Sequence, residues 1–224
     1  MKYLQLHSLH RASNELHELF GDSAYCAIHG AGCATRPRCM FVFMNPTATN
    51  VSASKTWRSF RAPWLGTKSI WKLFYAIGGI TEETFALTQH LKPREWTPAF
   101  AQSTYQELAH NGFYVTNLAT CTQPDARPLP NALFRRYLPL FEKEVLCVQP
   151  LAVIAFGNQV SSTILGKQIR VNGYRAAAFE TIMLGGYRFR VYPVHYPVGQ
   201  GMRNMPRAIA RIKKIISARL SSRR

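Results

Sequence analysis

Acidic residues are scarce in this chain. It has 11 aspartates and glutamates against 28 lysines and arginines in 224 residues, a formal net charge of +17. That imbalance favours a polyanionic partner, nucleic acid before an anionic membrane surface. Long apolar runs are missing too. None approaches the roughly 18 residues of a membrane span, which excludes a helical membrane protein. The first twenty residues hold His7, His10, Arg11, Glu15 and Glu18 in place of an apolar h-region, so a secretory signal is not expected. Cysteine is sparse and odd in number, five in all. The spacing is not that of a small disulfide scaffold, and reduced thiols in an intracellular protein are expected. Repeats, low-complexity segments and linkers are absent as well. The whole of 1–224 therefore reads as one domain, with an N-terminal helix within 1–25 and a basic C-terminal helix and tail over 207–224.

What is present is core material: 47% of residues are hydrophobic and 12% aromatic. Leu4, Leu9, Leu16, Leu19 and Phe20 predict a helix over 2–20 that stops at Gly21. Cys39-Met40-Phe41-Val42-Phe43-Met44 is a short continuous apolar run, suited to a strand buried on both faces. A loop with Pro63-Trp64-Leu65-Gly66 leads to a helix through Ile70, Leu73, Phe74 and Ile77, ended by Gly78-Gly79. Residues 81–96 fit neither period. Thr97-Pro98 opens a helix running to Asn111-Gly112. A second strand, Phe113 to Thr116, delivers Asn117. A helix spans 131–148, a third strand 150–156, and a helix through Val160 and Ile164 ends at Gly166. Asn172-Gly173 marks a turn, and 187–194 is the fourth strand. From Arg207 on, Ile209, Ile212, Ile215, Ile216 and Leu220 make an apolar face, with Arg207, Arg211 and Lys214 on the other.

Strands alternating with helices predict an α/β fold. The expected form is a three-layer αβα sandwich around a central, mainly parallel four-stranded sheet. Ligands of such sheets bind at the carboxyl ends of the strands, and Asn45, Asn117, Gly157 and His195 stand at four of them. His195 ends a strand that feeds a Pro/Gly loop, a place where a side chain is held rigidly yet reaches a ligand. Read alone, it fits a satisfied strand-end histidine equally well.

Together these stretches resemble the uracil-DNA glycosylase superfamily, most closely its family 4-type members, over roughly 26–212. The resemblance rests on Thr116-Asn117 running on to Cys121, on Pro63-Trp64-Leu65-Gly66, and on Gln149-Pro150 with Ala155-Phe156-Gly157. It rests also on His195 followed by a Pro/Gly loop and Arg203. Asn45-Pro46 is closer to the first motif of mismatch-type and single-strand-selective members. The resemblance implies hydrolysis of the N-glycosidic bond of uracil, or another deaminated base, flipped out of DNA. It implies that Asn45 positions the water and that His195 donates to the oxygen gaining charge. Trp64 would stack on the base, Asn117 would read its edge, and Pro46 and Gly157 would complete the substrate-binding set. Met202 would wedge into the duplex gap, while Arg203, Arg207 and Lys68 hold phosphates. Lys55, Arg58 and Arg61 surround the Trp64 loop and add positive charge, as do Arg223 and Arg224 in the tail.

Four features depart from the family pattern. Family 4 members carry a 4Fe–4S cluster on four cysteines. Cys121 matches one ligand and Cys26, Cys33 and Cys39 lie near two others, but the fourth position falls near Phe134, so no cofactor is expected. Thr47 stands where related motifs have glycine. Tyr196 is inserted between the histidine and the proline. The first motif has no carboxylate. The expected protein is thus an intracellular, monomeric, DNA-directed enzyme without metal. The alternatives are a binding protein that keeps the pocket without turnover, and an RNA-directed member.

Overall fold

A computed structural model describes residues 2–221, so Arg223 and Arg224 lie outside the described residues. The elements run α1 (Lys2–Phe20), β1 (Ala31–Gly32), β2 (Cys39–Phe43), α2 (Ser69–Ala76), α3 (Glu82–His90), α4 (Pro98–His110) and β3 (Phe113–Asn117). Then come α5 (Asn131–Val148), β4 (Val153–Phe156), α6 (Gly157–Leu165), β5 (Glu180–Leu184), β6 (Tyr187–Val194) and α7 (Met205–Ser221). The strands form one six-stranded sheet in the order β1-β3-β2-β4-β6-β5. The four expected strands are its parallel centre. The expectation of a four-stranded sheet is corrected by two antiparallel edges, β1 on β3 and β5 on β6. β1 has only two residues, too few to show a period. β5 and β6 form a hairpin through Gly185-Gly186, both at positive φ (51° and 80°), as the turn that matches strand twist requires.

Burial on both faces explains the unbroken apolar runs of β2 and β4, every residue of which is buried. On one face Phe41, Phe43, Val115, Ile154, Phe156 and Val194 pack against Leu73 of α2, Leu108 of α4 and Ile212 of α7. On the other, Met40, Val42, Tyr114, Ala155 and Val191 pack against Phe141 of α5 and Val160 of α6. Helices therefore cover both faces of a mixed α/β sheet. α3, the stretch without a clear period, starts at Thr81, whose side chain accepts from Thr84 N, and carries Glu82 and Glu83 in its first turn. It holds to α2 through Phe85 stacked on Tyr75, ring centroids 4.6 Å apart.

α7 overturns one expectation. Arg211 does not belong to a solvated face but is 6% exposed. Its guanidinium donates to Pro193 O (3.0 Å), Ala176 O (2.9 Å) and Ala178 O (2.8 Å). β5 reaches only as far as Val191 of β6, so Arg211 takes over the carbonyl beyond the end of the ladder.

Candidate active site at the carboxyl end of the sheet

Parallel pairing aligns the strand ends in one row. Phe43 pairs with Asn117 on one side, and Phe156 pairs with Val194 further along. Phe43 is the hub of this row. Its ring stacks on Phe156 (4.4 Å, 22°), meets Trp64 edge-on (4.9 Å, 73°) and faces Tyr196 at 6.2 Å. Sequence reading placed Phe43 in a strand and gave it no part in the site. A strand-end aromatic on the face of the expected Asn117 was the available signal.

Asn117 is 2% exposed, and its Nδ2 has no hydrogen-bond partner. A buried amide donor left without an acceptor costs roughly 1–3 kcal/mol, and such groups mark places where a ligand supplies the missing partner. The indole N–H of Trp64 is likewise buried and without a partner. Those of Trp71 and Trp96 are too, but these rings lie in the helical layer, stacked on each other at 5.8 Å.

The loop carrying Trp64 is tied at three successive carbonyls. Pro63 O accepts from the Tyr105 hydroxyl (2.5 Å), Trp64 O from Thr67 Oγ1 (2.7 Å), and Leu65 O from Val51 N (2.9 Å). Trp64 itself sits at φ 69°, a left-handed conformation costly for a bulky residue. Gly66, at φ 80°, follows it, and a Cβ there would lie 2.3 Å from Val51 Cγ1. Arg61, expected among the cations open to DNA, is used up in this scaffold. It donates to Ser52 O, to Ser54 O (2.9 Å) and to Trp57 O (3.1 Å).

Asn45 lies two residues beyond Phe43 and is buried. Its Nδ2 donates to Pro46 O at 3.0 Å, and no described residue donates to its Oδ1. The segment is fixed against the chain after β3, with Gln123 N on Pro46 O (3.1 Å) and Ala48 N on Gln123 O (2.9 Å). Thr47 forms a parallel bridge to Gln123. Gly157, at φ 84°, opens α6, and a Cβ on it would lie 3.5 Å from Tyr196 Cβ.

His195 hydrogen-bonds to a different segment. Its Nε2 lies 2.6 Å from Asn172 Oδ1, an acceptor, so Nε2 carries the proton. Partial burial lowers its pKa, and Arg207 and then Arg211 lower it further, which leaves the ring neutral near pH 7. It is the inserted Tyr196, not His195, that meets Phe43 and Gly157. Asn172 lies in a turn, and nothing in the sequence pairs it with a histidine 23 positions away. After Tyr196, a 3₁₀ turn over Gly199–Asn204 presents Met202, 49% exposed, beside an exposed Arg203. Arg207, near the start of α7, is exposed as well. Lys68 precedes α2 and is exposed, its ammonium donating to Gln89 O.

The four candidate cluster ligands separate into two pairs. Cys26 O accepts from Thr122 Oγ1 (2.6 Å), which puts Cys26 beside Cys121 beyond the carboxyl end of β3. Cys33 N donates to Phe113 O (2.8 Å), and Cys39 pairs with Phe113 at the amino end. A strand of five residues, roughly 15 Å, lies between the pairs. These sulfurs do not fit a single cluster. Among the described residues no group of three or more His, Cys, Asp or Glu is placed to hold a metal ion, and no helix is long and apolar enough to cross a membrane.

An unpartnered amide and an aromatic wall thus meet at the carboxyl end of the parallel strands, under helices on both faces. Residues 29–214 match the Uracil DNA glycosylase superfamily, and the chain belongs to that superfamily. No curated protein matches it.

Proposed function

We propose that this protein is a DNA glycosylase that flips uracil, or another deaminated base, out of the strand and hydrolyses its N-glycosidic bond. The observation that carries this reading is the buried, unpartnered Nδ2 of Asn117 beside the Phe43–Trp64 aromatic wall, in a chain of this superfamily. A flipped base offers what the site lacks, a planar ring for the wall and carbonyl oxygens for the amide donor. In this reading Asn117 donates to a base carbonyl and Trp64 bounds the ring. The backbone at Pro46 and Gly157 closes over its edge.

Asn45 holds the water by its open Oδ1, while its amide, spent on Pro46 O, keeps the side chain in one rotamer. Asparagine is not a base, so the water attacks as the bond breaks rather than as preformed hydroxide. His195, neutral with Nε2 protonated, donates to the base oxygen that gains charge, and to do so its ring turns from Asn172. Met202 fills the gap left by the base, and Arg203, Arg207 and Lys68 bind phosphates. No metal or cofactor takes part, the protein acts as a monomer, and it works inside the cell where the DNA is.

The test is a labelled oligonucleotide with one uracil, single- and double-stranded, followed by alkali to cut abasic sites. Cutting that disappears in Asn117→Ala and Asn45→Ala supports the enzyme. A second reading, a damaged-base binder without turnover, is favoured by the engagement of His195 with Asn172. Retained binding with no cutting on uracil, hypoxanthine or xanthine establishes the binder and rejects the enzyme.

A further inference from the structure

A further concavity lies at the other end of the sheet. A groove of about 930 Å³ runs past the amino ends of β4 and β6 and is lined by Arg36, Lys143, Gln149, Gly185, Tyr187 and Arg188, among others. Its volume is that of a ligand site rather than a packing defect. No carboxylate lines it. Arg36, Lys143 and Arg188 are exposed, and none is in an ion pair; those among the described residues join Arg127 to Asp125 and Lys167 to Glu180. Three cations without counter-charges around one groove repel each other and are stabilised by an anion. Tyr187, 58% exposed, adds a flat aromatic ring to the rim.

The groove is also rigid. Arg36 N donates to Val148 O (2.8 Å) and Leu151 N to Pro37 O (2.9 Å), locking the segment before β2 to that before β4. Among the described residues four non-glycine positions have positive φ, and two of them, Arg36 (49°) and Gln149 (56°), line this groove. Gln149 is the left-handed cap of α5, its N–H on Val145 O at 2.8 Å, and it fixes the end of that helix at the groove.

We propose that this groove is a second nucleic-acid site, in which Arg36, Lys143 and Arg188 hold phosphates of a single strand and Tyr187 stacks on one of its bases. Stacking beside a basic groove gives sequence-tolerant binding of unpaired strands. β6 separates the two sites along its eight residues, roughly 25 Å, so a short strand seated at one leaves the other free. The inference goes beyond the glycosylase reading and does not depend on it.

The test is calorimetric titration of the full chain with hexathymidylate at several salt concentrations. Expected is one bound strand fewer per protein in the triple variant Arg36→Ala/Lys143→Ala/Arg188→Ala than in the unaltered chain. The groove's salt slope should be about 2, from three phosphate contacts. A charge-matched triple, Arg135→Ala/Arg136→Ala/Lys214→Ala, should keep the stoichiometry of the unaltered chain. Tyr187→Ala should remove a preference of about tenfold for hexathymidylate over the same strand without bases. Deoxythymidine monophosphate and inorganic phosphate separate a strand groove from a free-nucleotide pocket. Competition by hexathymidylate alone supports the strand, and equal competition by the monophosphate rejects it. Unchanged stoichiometry in the groove triple, or an equal loss in the charge-matched triple, overturns the proposal. Failure is distinguishable from failure of the glycosylase reading, because uracil excision is tested through Asn117 and not through the groove.

Discussion

The two faces of β3 treat buried polar groups in opposite ways. Towards α5, Tyr114 and Thr116 give their hydroxyls to Glu144, at 2.8 Å from Tyr114 and 3.1 Å from Thr116. A Cβ on Gly30 would lie 2.4 Å from the Glu144 carboxylate, so the chain closes tightly over it. On the alternate face, in register with Phe43, Asn117 keeps a donor with nothing to bind. Only five residues carry both arrangements. Polar groups buried for architecture find partners inside the protein, whereas a buried donor left open at a strand end is held for something that arrives.

That contrast breaks most visibly at Asn117. Asn117→Ala should lower uracil excision by about 10²–10³-fold, the loss typical of one donor aimed at developing charge. Thermal unfolding should barely move, because the Nδ2 makes no hydrogen bond in the protein. A large drop in melting temperature would show that Asn117 is structural and erase the distinction between the faces.

Glu144 tests the opposite face through pH. Burial pushes its carboxyl up to about 7, against the two hydroxyl donors that pull it down. Its folded pKa lies above its ordinary value, so the folded state binds the proton more tightly. Stability from this group therefore falls as pH rises from about 4.5 to about 7 and stays low above. His29 runs the other way. Burial, then His10, with which it stacks at 4.2 Å, lowers it to about 3. Its contribution is present above its ordinary pKa of 6.5 and is lost as pH falls toward 3. Between pH 4.5 and 6.5 the two slopes oppose, so Glu144 offsets part of the rise with pH that His29 gives. Glu144→Gln should leave the His29 slope exposed, with stability rising with pH, and gain up to about 3 kcal/mol at pH 7. Urea unfolding from pH 4 to 8 checks both signs.

Smaller effects sharpen the same comparison. Arg211→Met should cost about 2 kcal/mol, since three carbonyls lose their donor, whereas Arg207→Ala on the exposed side of α7 should leave stability unchanged and weaken DNA binding. Chemical unfolding and a salt-dependent binding titration separate the two arginines. Thr116→Val should cost about 1 kcal/mol and raise the Glu144 pKa further, moving the pH slope to higher pH in the same unfolding series.

Much of the architecture is written locally. The helices 2–20, 98–110 and 131–148 and the four central strands follow from period, caps and apolar runs, with ends displaced by only a few residues. Asn172-Gly173 does form a turn, within the 3₁₀ turn Val171–Gly173, and Gly185-Gly186 is a legible hairpin signal beside it. α3 was hidden because it is held by caps, by Glu107 and by one stacked ring rather than by an apolar stripe. Glu144, three residues after Phe141 on the buried face of α5, could have been suspected from its spacing.

By itself the sequence determined that the sheet is mainly parallel, that Asn45, Asn117, Gly157 and His195 stand at strand ends, and that the surface is basic. Each of these is a property of a single segment. Only the tertiary structure decided which of those residues share a wall, because register across strands lies outside any one segment. It set Asn117 beside Phe43, brought Tyr196 to the aromatic wall in place of His195, and turned His195 towards Asn172. It also decided which cations remain free. Arg61 and Arg211 look like their neighbours in the sequence, and only the carbonyls that the fold brings to them remove them from the surface charge.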